Sequence, residues 1–258
     1  MRDLVVLKVG GSVLTDKNKS STARPEQIAR VAREIHEGLS GGLVLIHGAG
    51  SFGHHQAKEY GLKNGLNEKS IKGIWPTHYA VKSLNNMIIE ALAKNGVNAL
   101  PVHPLSACTL KDGRIDSMCT DVIELMLDAN VVPVLHGDAV LDREKGIDIL
   151  SGDQLVVYLA RELRAKKVGI GTNVDGVYDV KEFNVIREIT PGNIESVRGM
   201  LSGSSGVDVT GGMYGKIMEL MELANAGIPS QVFNAEKEGN IARFLNGGVC
   251  EGTSIRGE

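Results

Sequence analysis

The sequence predicts an α/β protein in which a mainly parallel sheet is sandwiched between helices. Three observations carry that prediction. Short runs of β-branched and aliphatic residues alternate along the chain with stretches of helical periodicity, the pattern of successive strand–helix–strand units. The runs are near-continuously apolar, as in strands buried on both faces. Glycines make up 32 of the 258 residues, and they cluster just behind the runs, where open sheets of this kind bind ligands.

Residues 4–9 are the first buried strand. Pro25 opens a helix over 26–39, with Ile28, Val31, Ala32 and Ile35 on its apolar face. Residues 43–46 form a second strand, followed by a glycine loop, Gly48-Ala-Gly-Ser-Phe-Gly-His54. The polar stretch containing Gly61, Gly65 and Gly73 reads as a loop, and 74–94 as a long helix with Val81, Leu84, Ile88 and Leu92 on one side. Residues 99–102 are a third strand. A hairpin is expected around Asp112-Gly113, then a helix to 129 capped by Thr120. Residues 131–135 are a fourth strand, and 139–141 with 148–150 a second hairpin. A helix over 154–163, a strand over 167–170, a helix over 213–226 and a strand over 230–233 follow. A short helix and an edge strand finish the chain.

Composition narrows the function. Apolar residues are 42% and charged residues 23% of the chain, which excludes a disordered or collagen-like protein. Lys and Arg number 28 against 31 Asp and Glu, a net charge of -3, so the basic excess of a general nucleic-acid binder is missing. Aromatic residues are only 4%, too few for base-stacking platforms. Cys108, Cys119 and Cys250 form no CxxC pair and leave an odd count, as expected of reduced thiols in a cytosolic protein. The first apolar run is broken by Lys8, and no run reaches the ~18–20 apolar residues of a membrane span. A soluble, cytoplasmic protein is expected.

Five glycine-marked clusters carry chemistry. Lys8-Val-Gly10-Gly11-Ser12 sets a cation beside backbone that can present N–H groups to a phosphate. A lysine inside an apolar strand is costly unless paired, which favours a functional Lys8 over a solvated one. The loop 48–55 offers a second anion cradle, with His54 on its glycine side as a donor and His55 as a surface residue. Ser151-Gly152-Asp153-Gln154 opens a helix, where Asp153 alone reads as a capping carboxylate. Gly171-Thr172-Asn173-Val-Asp175-Gly176-Val-Tyr178 follows the fifth strand. In Asp208-Val-Thr-Gly211-Gly212-Met-Tyr-Gly-Lys216, glycines precede a helix and Lys216 stands one turn inside it, facing an anion at its start. Together the clusters point to nucleotide-dependent phosphoryl transfer. The Walker A, GxGxxG, HExxH, CxxC and GxSxG patterns are all missing. His47, His103 and His136 lie near strand ends with no metal-site spacing and read as structural.

On these motifs, over nearly its whole length, the chain resembles the amino acid kinase superfamily. Within it the GSFGH segment ending in His54, Lys17 in Leu14-Thr-Asp-Lys17, and the His136-Gly-Asp138 and Ser151-Gly-Asp153 blocks are most similar to the archaeal-type isopentenyl phosphate kinases. The resemblance implies one kinase-like domain over 1–258, with an acceptor-binding N-terminal lobe of about 1–165 and an ATP-binding C-terminal lobe of about 166–258. It implies ATP-dependent phosphorylation of isopentenyl phosphate to isopentenyl diphosphate, with Mg²⁺ arriving on ATP and no protein metal ligand assigned, and a homodimer. It assigns catalysis to Lys8, Lys17, His54, Asp153 and Lys216. ATP is expected at Lys8, Gly10, Gly11, Ser12, Gly50, Thr172, Asp175, Tyr178, Gly211, Gly212 and Lys216, and the acceptor at Ala49, Gly50, His54 and Gly152. The acceptor's apolar tail is expected against Val81, Leu84, Met87 or Ile88. Two departures stand out: Ala49 replaces a glycine, and Asn173 replaces an aspartate more usual there. Bacterial fosfomycin kinases share much of the pattern, and a non-catalytic nucleotide sensor on the same fold is the other alternative.

Overall fold

The computed structural model describes residues 3–179, 182–201, 209–248 and 250–257. The apolar runs become the strands of an eight-stranded sheet. They are β1 (Val5–Val9), β2 (Leu43–His47), β3 (Ala99–Pro101), and, after two hairpin strands β4 (Cys108–Lys111) and β5 (Arg114–Met118), β6 (Val132–His136). A second pair of hairpin strands follows, β7 (Asp138–Asp142) and β8 (Gly146–Leu150). The sheet resumes with β9 (Lys167–Thr172), β10 (Glu188–Ile189), β11 (Ser230–Asn234) and β12 (Gly252–Ile255). Its order is β10-β12-β11-β9-β1-β2-β6-β3, and all its pairs are parallel except β11 with β12. β1 therefore sits between strands that lead away in opposite directions. A crevice opens at the carboxyl ends of strands where the order reverses in this way.

The helices between the strands are α1 (Gly11–Leu14), α2 (Pro25–Gly38), α3 (Gly50–Tyr60), α4 (Ser70–Lys94), α5 (Pro104–Ala107) and α6 (Asp121–Asp128). They continue with α7 (Gly152–Glu162), α8 (Ile194–Leu201), α9 (Val209–Asn225) and α10 (Asn240–Leu245). Period-two alternation divides β1 between two cores. Leu4 and Val6 pack with Leu155, Leu159 and Ile217 of α7 and α9. Val5, Leu7 and Val9 pack with Ile35, Leu84 and Ile88 of α2 and α4. Lys8 shares the α7 side with Val6.

The two predicted hairpins form, with Asp112 and Gly113 both at positive φ (49° and 77°) in the first turn. They join into a separate four-stranded sheet, β5-β4-β7-β8. The Asp142 carboxylate ties the two turns together by accepting the backbone N–H groups of Asp112, Gly113, Glu144 and Lys145.

Four expectations need correction. Residues 50–54 are not loop but the opening of α3, so His54 is a helical residue. Gly61 ends that helix in the left-handed conformation (φ 65°), a position that suits glycine. The long helix begins at Ser70, not 74, because Asn67 Oδ1 takes the N–H groups of Lys69 and Ser70 at 2.9 and 3.0 Å. Thr120 precedes α6 without a side-chain capping bond. The terminal strand β12 is not the sheet edge, since the two-residue β10 lies outside it.

α3 and α4 pack tightly because small residues face large ones. A Cβ on Gly73 would stand 2.2 Å from Tyr60 Cβ, and one on Gly53 2.9 Å from Val81 Cγ2. Overpacking of this severity costs up to about 3 kcal/mol, more than the roughly 1 kcal/mol alanine gains over glycine in a helix. Gly73→Ala is therefore expected to lower the melting temperature. An equal or higher melting temperature would show that the two helices are not in this register.

Candidate active site

At the end of β1, Gly10 N donates to Gly171 O of β9 at 2.8 Å, while Gly48 N, just after β2, donates to Val9 O at 3.0 Å. The two glycine turns then touch backbone to backbone. A Cβ on Gly11 would lie 2.3 Å from Gly50 N, one on Gly48 2.4 Å from Gly11 N, and Gly50 itself has φ +52°. Thr15 stitches the turns together: its hydroxyl donates to Gly11 O at 2.7 Å and accepts Ser51 N at 3.1 Å. The opening N–H groups of α1 and α3 have no partner inside their helices. Ala49 N makes no hydrogen bond among the described residues. Four donors in two consecutive pairs, Gly11-Ser12 and Ala49-Gly50, are thus gathered where the two turns touch.

Two lysines converge on one carboxylate beside these turns. Lys8 Nζ lies 2.5 Å from Asp153 Oδ1, and Lys216 Nζ of α9 lies 3.2 Å from Asp153 Oδ2. Asp153 is free for this because Ser151, not Asp153, caps α7 by accepting Gln154 N at 3.2 Å. The capping reading of Asp153 is corrected accordingly. Burial opposes the charge on Asp153, but the ammonium groups of Lys8 and Lys216 overcome it and hold the carboxyl below its ordinary range. The stem of Lys8 crosses Gly152, where a methyl group would come 3.4 Å from Lys8 Cε.

His54 is exposed on the fifth residue of α3. Lost solvation of the ring, then the charges of Lys63 and Lys8, hold its imidazole below the usual histidine range. The ring therefore shares an electropositive neighbourhood with Lys8. Lys63, in the turn Leu62–Asn64, was missed in the sequence because no motif surrounds it.

The remaining expected residues fall at different distances from this cluster. Lys17 is exposed in a turn and makes no ion pair among the described residues. That turn is nonetheless tied to α3, by Ser21 N to Ser51 O at 3.0 Å and Gln56 Nε2 to Ser21 Oγ at 3.2 Å. Ser12 Oγ donates to Asn173 Oδ1 at 3.1 Å, so the residue that departs from the family pattern links α1 to the turn after β9. Thr172 turns its hydroxyl onto Val174 N and O. Asp175 is bound to Asn234 at 2.8 Å and Lys237 at 2.9 Å, and those two bonds, Asn234 first, hold its carboxyl below its usual range. Tyr178 is exposed and bridges to Val185. Gly211 and Gly212 lie inside α9, not ahead of it, and Lys216 is consequently two turns into the helix. Asp208 of the same motif lies outside the described residues. The proposed tail residues also divide: Val81, Leu84 and Ile88 are buried core, and Met87 is exposed.

Behind the crevice lies a group of histidines. His47 and His136 each direct Nδ1 at the next residue's carbonyl, Gly48 O and Gly137 O, both at 3.1 Å. Each ring's Nε2 faces another side chain, Asn85 Nδ2 at 3.1 Å and His103 Nδ1 at 2.9 Å. His78 Nδ1 meets Asp138 Oδ2 at 2.8 Å. Burial pushes His47 down to about 4 and His136 down to about 3. No group of three or more His, Cys, Asp or Glu among the described residues could hold a metal ion. Cys108, Cys119 and Cys250 are free thiols.

Residues 3–234 match the amino acid kinase family. The isopentenyl phosphate kinase of Haloferax volcanii is 43% identical over 257 residues, covering 99% of each chain. That of Methanothermobacter thermautotrophicus is 36% identical over 271 residues, covering 99% of this chain and all of its own. A solved isopentenyl phosphate kinase structure superposes with a TM-score of 0.84 at 33% identity, over 98% of this chain and 99% of that one.

The two deeply buried imidazoles make stability depend on pH. Their folded values lie below the unfolded ~6.5, so the unfolded chain takes up more protons as pH falls. The stability they contribute is present above pH ~6.5 and is lost towards about 4 and 3. The loss is about 1.4 kcal/mol per pH unit for each histidine. The urea midpoint is expected to fall steadily from pH 6.5 to pH 5. A flat midpoint across that interval would contradict the neutral, buried assignment.

Proposed function

The chain belongs to the amino acid kinase family, and from the site it builds we propose that it transfers the γ-phosphoryl group of ATP to isopentenyl phosphate. The products are isopentenyl diphosphate and ADP. The observation that carries this reading is the convergence of Lys8 and Lys216 on Asp153, beside the glycine cradle and within electrostatic reach of His54. The similarity to isopentenyl phosphate kinases over full length supports the choice of acceptor.

The chemistry asks little of a base. The second pKa of a phosphate monoester is ~6, so at neutral pH the attacking oxygen is already largely unprotonated. That oxygen forms a bond to the γ-phosphorus as the bond from phosphorus to the β–γ bridging oxygen breaks, and ADP leaves. The obstacle is repulsion between two anions and the charge that develops during transfer, which fixed cations and N–H dipoles offset. In this reading Lys8 and Lys216 flank the transferred group, and Gly10, Gly11, Ser12 and Gly50 bring backbone to the phosphates of ATP. Gly211, Gly212, Thr172, Asp175 and Tyr178 belong to the nucleotide side, and Lys17 joins from its turn. Ala49, Gly50, Gly152 and His54 hold the acceptor phosphate. The lobes 1–165 and 166–258 take acceptor and ATP respectively.

Asp153 has both oxygens engaged by lysines. In this reading Asp153 is therefore engaged by lysines and not by metal, and Mg²⁺ enters as part of the nucleotide, on phosphate oxygens and water. A homodimer and a cytoplasmic location belong to the same reading, on the resemblance. No helix among the described residues is long and apolar enough to cross a membrane.

The acceptor's tail needs an apolar wall near His54. The small cluster between α3, α4 and the hairpin sheet supplies one. Leu62, Ala139 and Ile147 are buried there, and Ala57, Tyr60, Ile74 and Ile149 are left partly open. Ala57 follows His54 by one helical turn.

An acceptor screen with ATP, scored by product mass, tests the reading. Isopentenyl phosphate is expected to outperform longer prenyl phosphates and fosfomycin. His54→Ala is expected to weaken acceptor use by about 10–150-fold, the value of a charge-assisted hydrogen bond, and to leave ATP affinity unchanged. His54→Gln or His54→Asn retains part of the activity. Preference for fosfomycin, or no turnover of any acceptor, would overturn the assignment.

A further inference from the structure

The histidine that ends β2 has no role in the mechanism above, yet it is fully buried and its ring is fixed at both nitrogens. A carbonyl oxygen can only accept, so the contact with Gly48 O at 3.1 Å requires a proton on His47 Nδ1. Nε2 of the neutral ring is then bare, and Asn85 Nδ2 donates to it at 3.1 Å. The tautomer is thereby set by its partners.

Fixing the Gly48 carbonyl fixes more than an oxygen. The chain contains no cis peptide among the described residues. In a trans peptide the carbonyl of one residue and the N–H of the next point in opposite directions. Leu43, Leu45 and His47 share the α4 side of the sheet by strand alternation, and the first two belong to the core cluster of that side. Lys8 stands on the α7 side. A Gly48 carbonyl held back toward His47 therefore sends the Ala49 N–H toward the side of Lys8 and Gly152. Ala49 N makes no hydrogen bond among the described residues, so the donor is available. His136 repeats the pattern with Gly137, but there the following residue, Asp138, opens strand β7 opposite Leu150.

We propose that His47 is a positioning residue for the acceptor: by holding the Gly48 carbonyl, its ring aims the Ala49 N–H into the crevice as a phosphate donor. The inference rests on the reading of the Ala49 side of the crevice as the acceptor's. It predicts a particular pattern among substitutions. An asparagine amide stands close to where Nδ1 stood, and a glutamine amide close to where Nε2 stood. His47→Asn can keep the bond to Gly48 O, whereas His47→Gln cannot.

Two readouts test this. In steady-state kinetics with ATP and isopentenyl phosphate, His47→Gln is expected to raise the acceptor KM about tenfold or more without changing the ATP KM, and His47→Asn to stay near wild type. In amide NMR, titration with inorganic phosphate is expected to shift the Ala49 N–H downfield in wild type and His47→Asn, but not in His47→Gln. The phosphate titration stands even if the protein uses a different acceptor, so failure of the functional reading and failure of this one are separable. Should His47→Gln not fold, the ring ¹⁵N shifts of wild-type His47 decide the matter, with a protonated Nδ1 and a bare Nε2 expected. Equal Ala49 shifts in all three proteins, a joint rise in both KM values that follows melting temperature, or the opposite tautomer would overturn the proposal.

Discussion

Asp153 accepts two ammonium groups that reach it from different parts of the chain, and the arrangement of the crevice depends on that shared contact. Lys8 comes from the central strand and Lys216 from α9. Lys8 in particular needs a partner, since it is largely buried whereas Lys216 is half exposed. A cation inside an apolar strand is costly without a partner, and two cations set side by side repel. One carboxylate between them resolves both problems while leaving the trio one positive charge in excess. Because Ser151 caps α7, Asp153 can stand in the first helical turn without being spent on backbone N–H groups.

The sheet explains why such a contact is possible. β1 lies where the strand order reverses, between β2 and β9. The turn after β1 therefore meets the turn after β2 on one side and the end of β9 on the other. Close approach of the first pair excludes side chains, which is why glycines occupy positions 11, 48 and 50. The same exclusion leaves backbone N–H groups open to the crevice. Anion-binding donors and tight strand-end packing are thus two consequences of one set of glycines.

Much of this was legible in the sequence. Continuous apolar runs gave the parallel strands, since burial on both faces removes alternation. Lys8 was legible because a charge inside such a run needs a reason. Asp153 was harder: a carboxylate at a helix start reads as a cap, and only the position of Ser151 decides otherwise. The α3 segment misled because its glycines suggest a loop, whereas Gly53 is there to let α3 pack against Val81. Gly211 and Gly212 misled in the same way, lying within α9. The α4 positions expected against the tail are mostly buried, because helical periodicity identifies a buried face without saying what buries it. Leu84 and Ile88 serve the main core, and the partly open residues come from three separate elements. Lys63 and the His47–Asn85 pair left no local signal, since each acquires its meaning only from a neighbour distant in sequence or from backbone direction.

If Asp153 acts by placing two lysines for transfer, its charge should matter more for the reaction than for binding. The direct measurement is Asp153→Asn, comparing ATP affinity by calorimetry with kcat for isopentenyl phosphate. The account predicts ATP binding as tight as in wild type or tighter, because a negative charge has left the crevice, with kcat reduced by about 100-fold or more. A variant that remains folded and either keeps its kcat within a few-fold, or loses ATP affinity in proportion to its kcat, would contradict it.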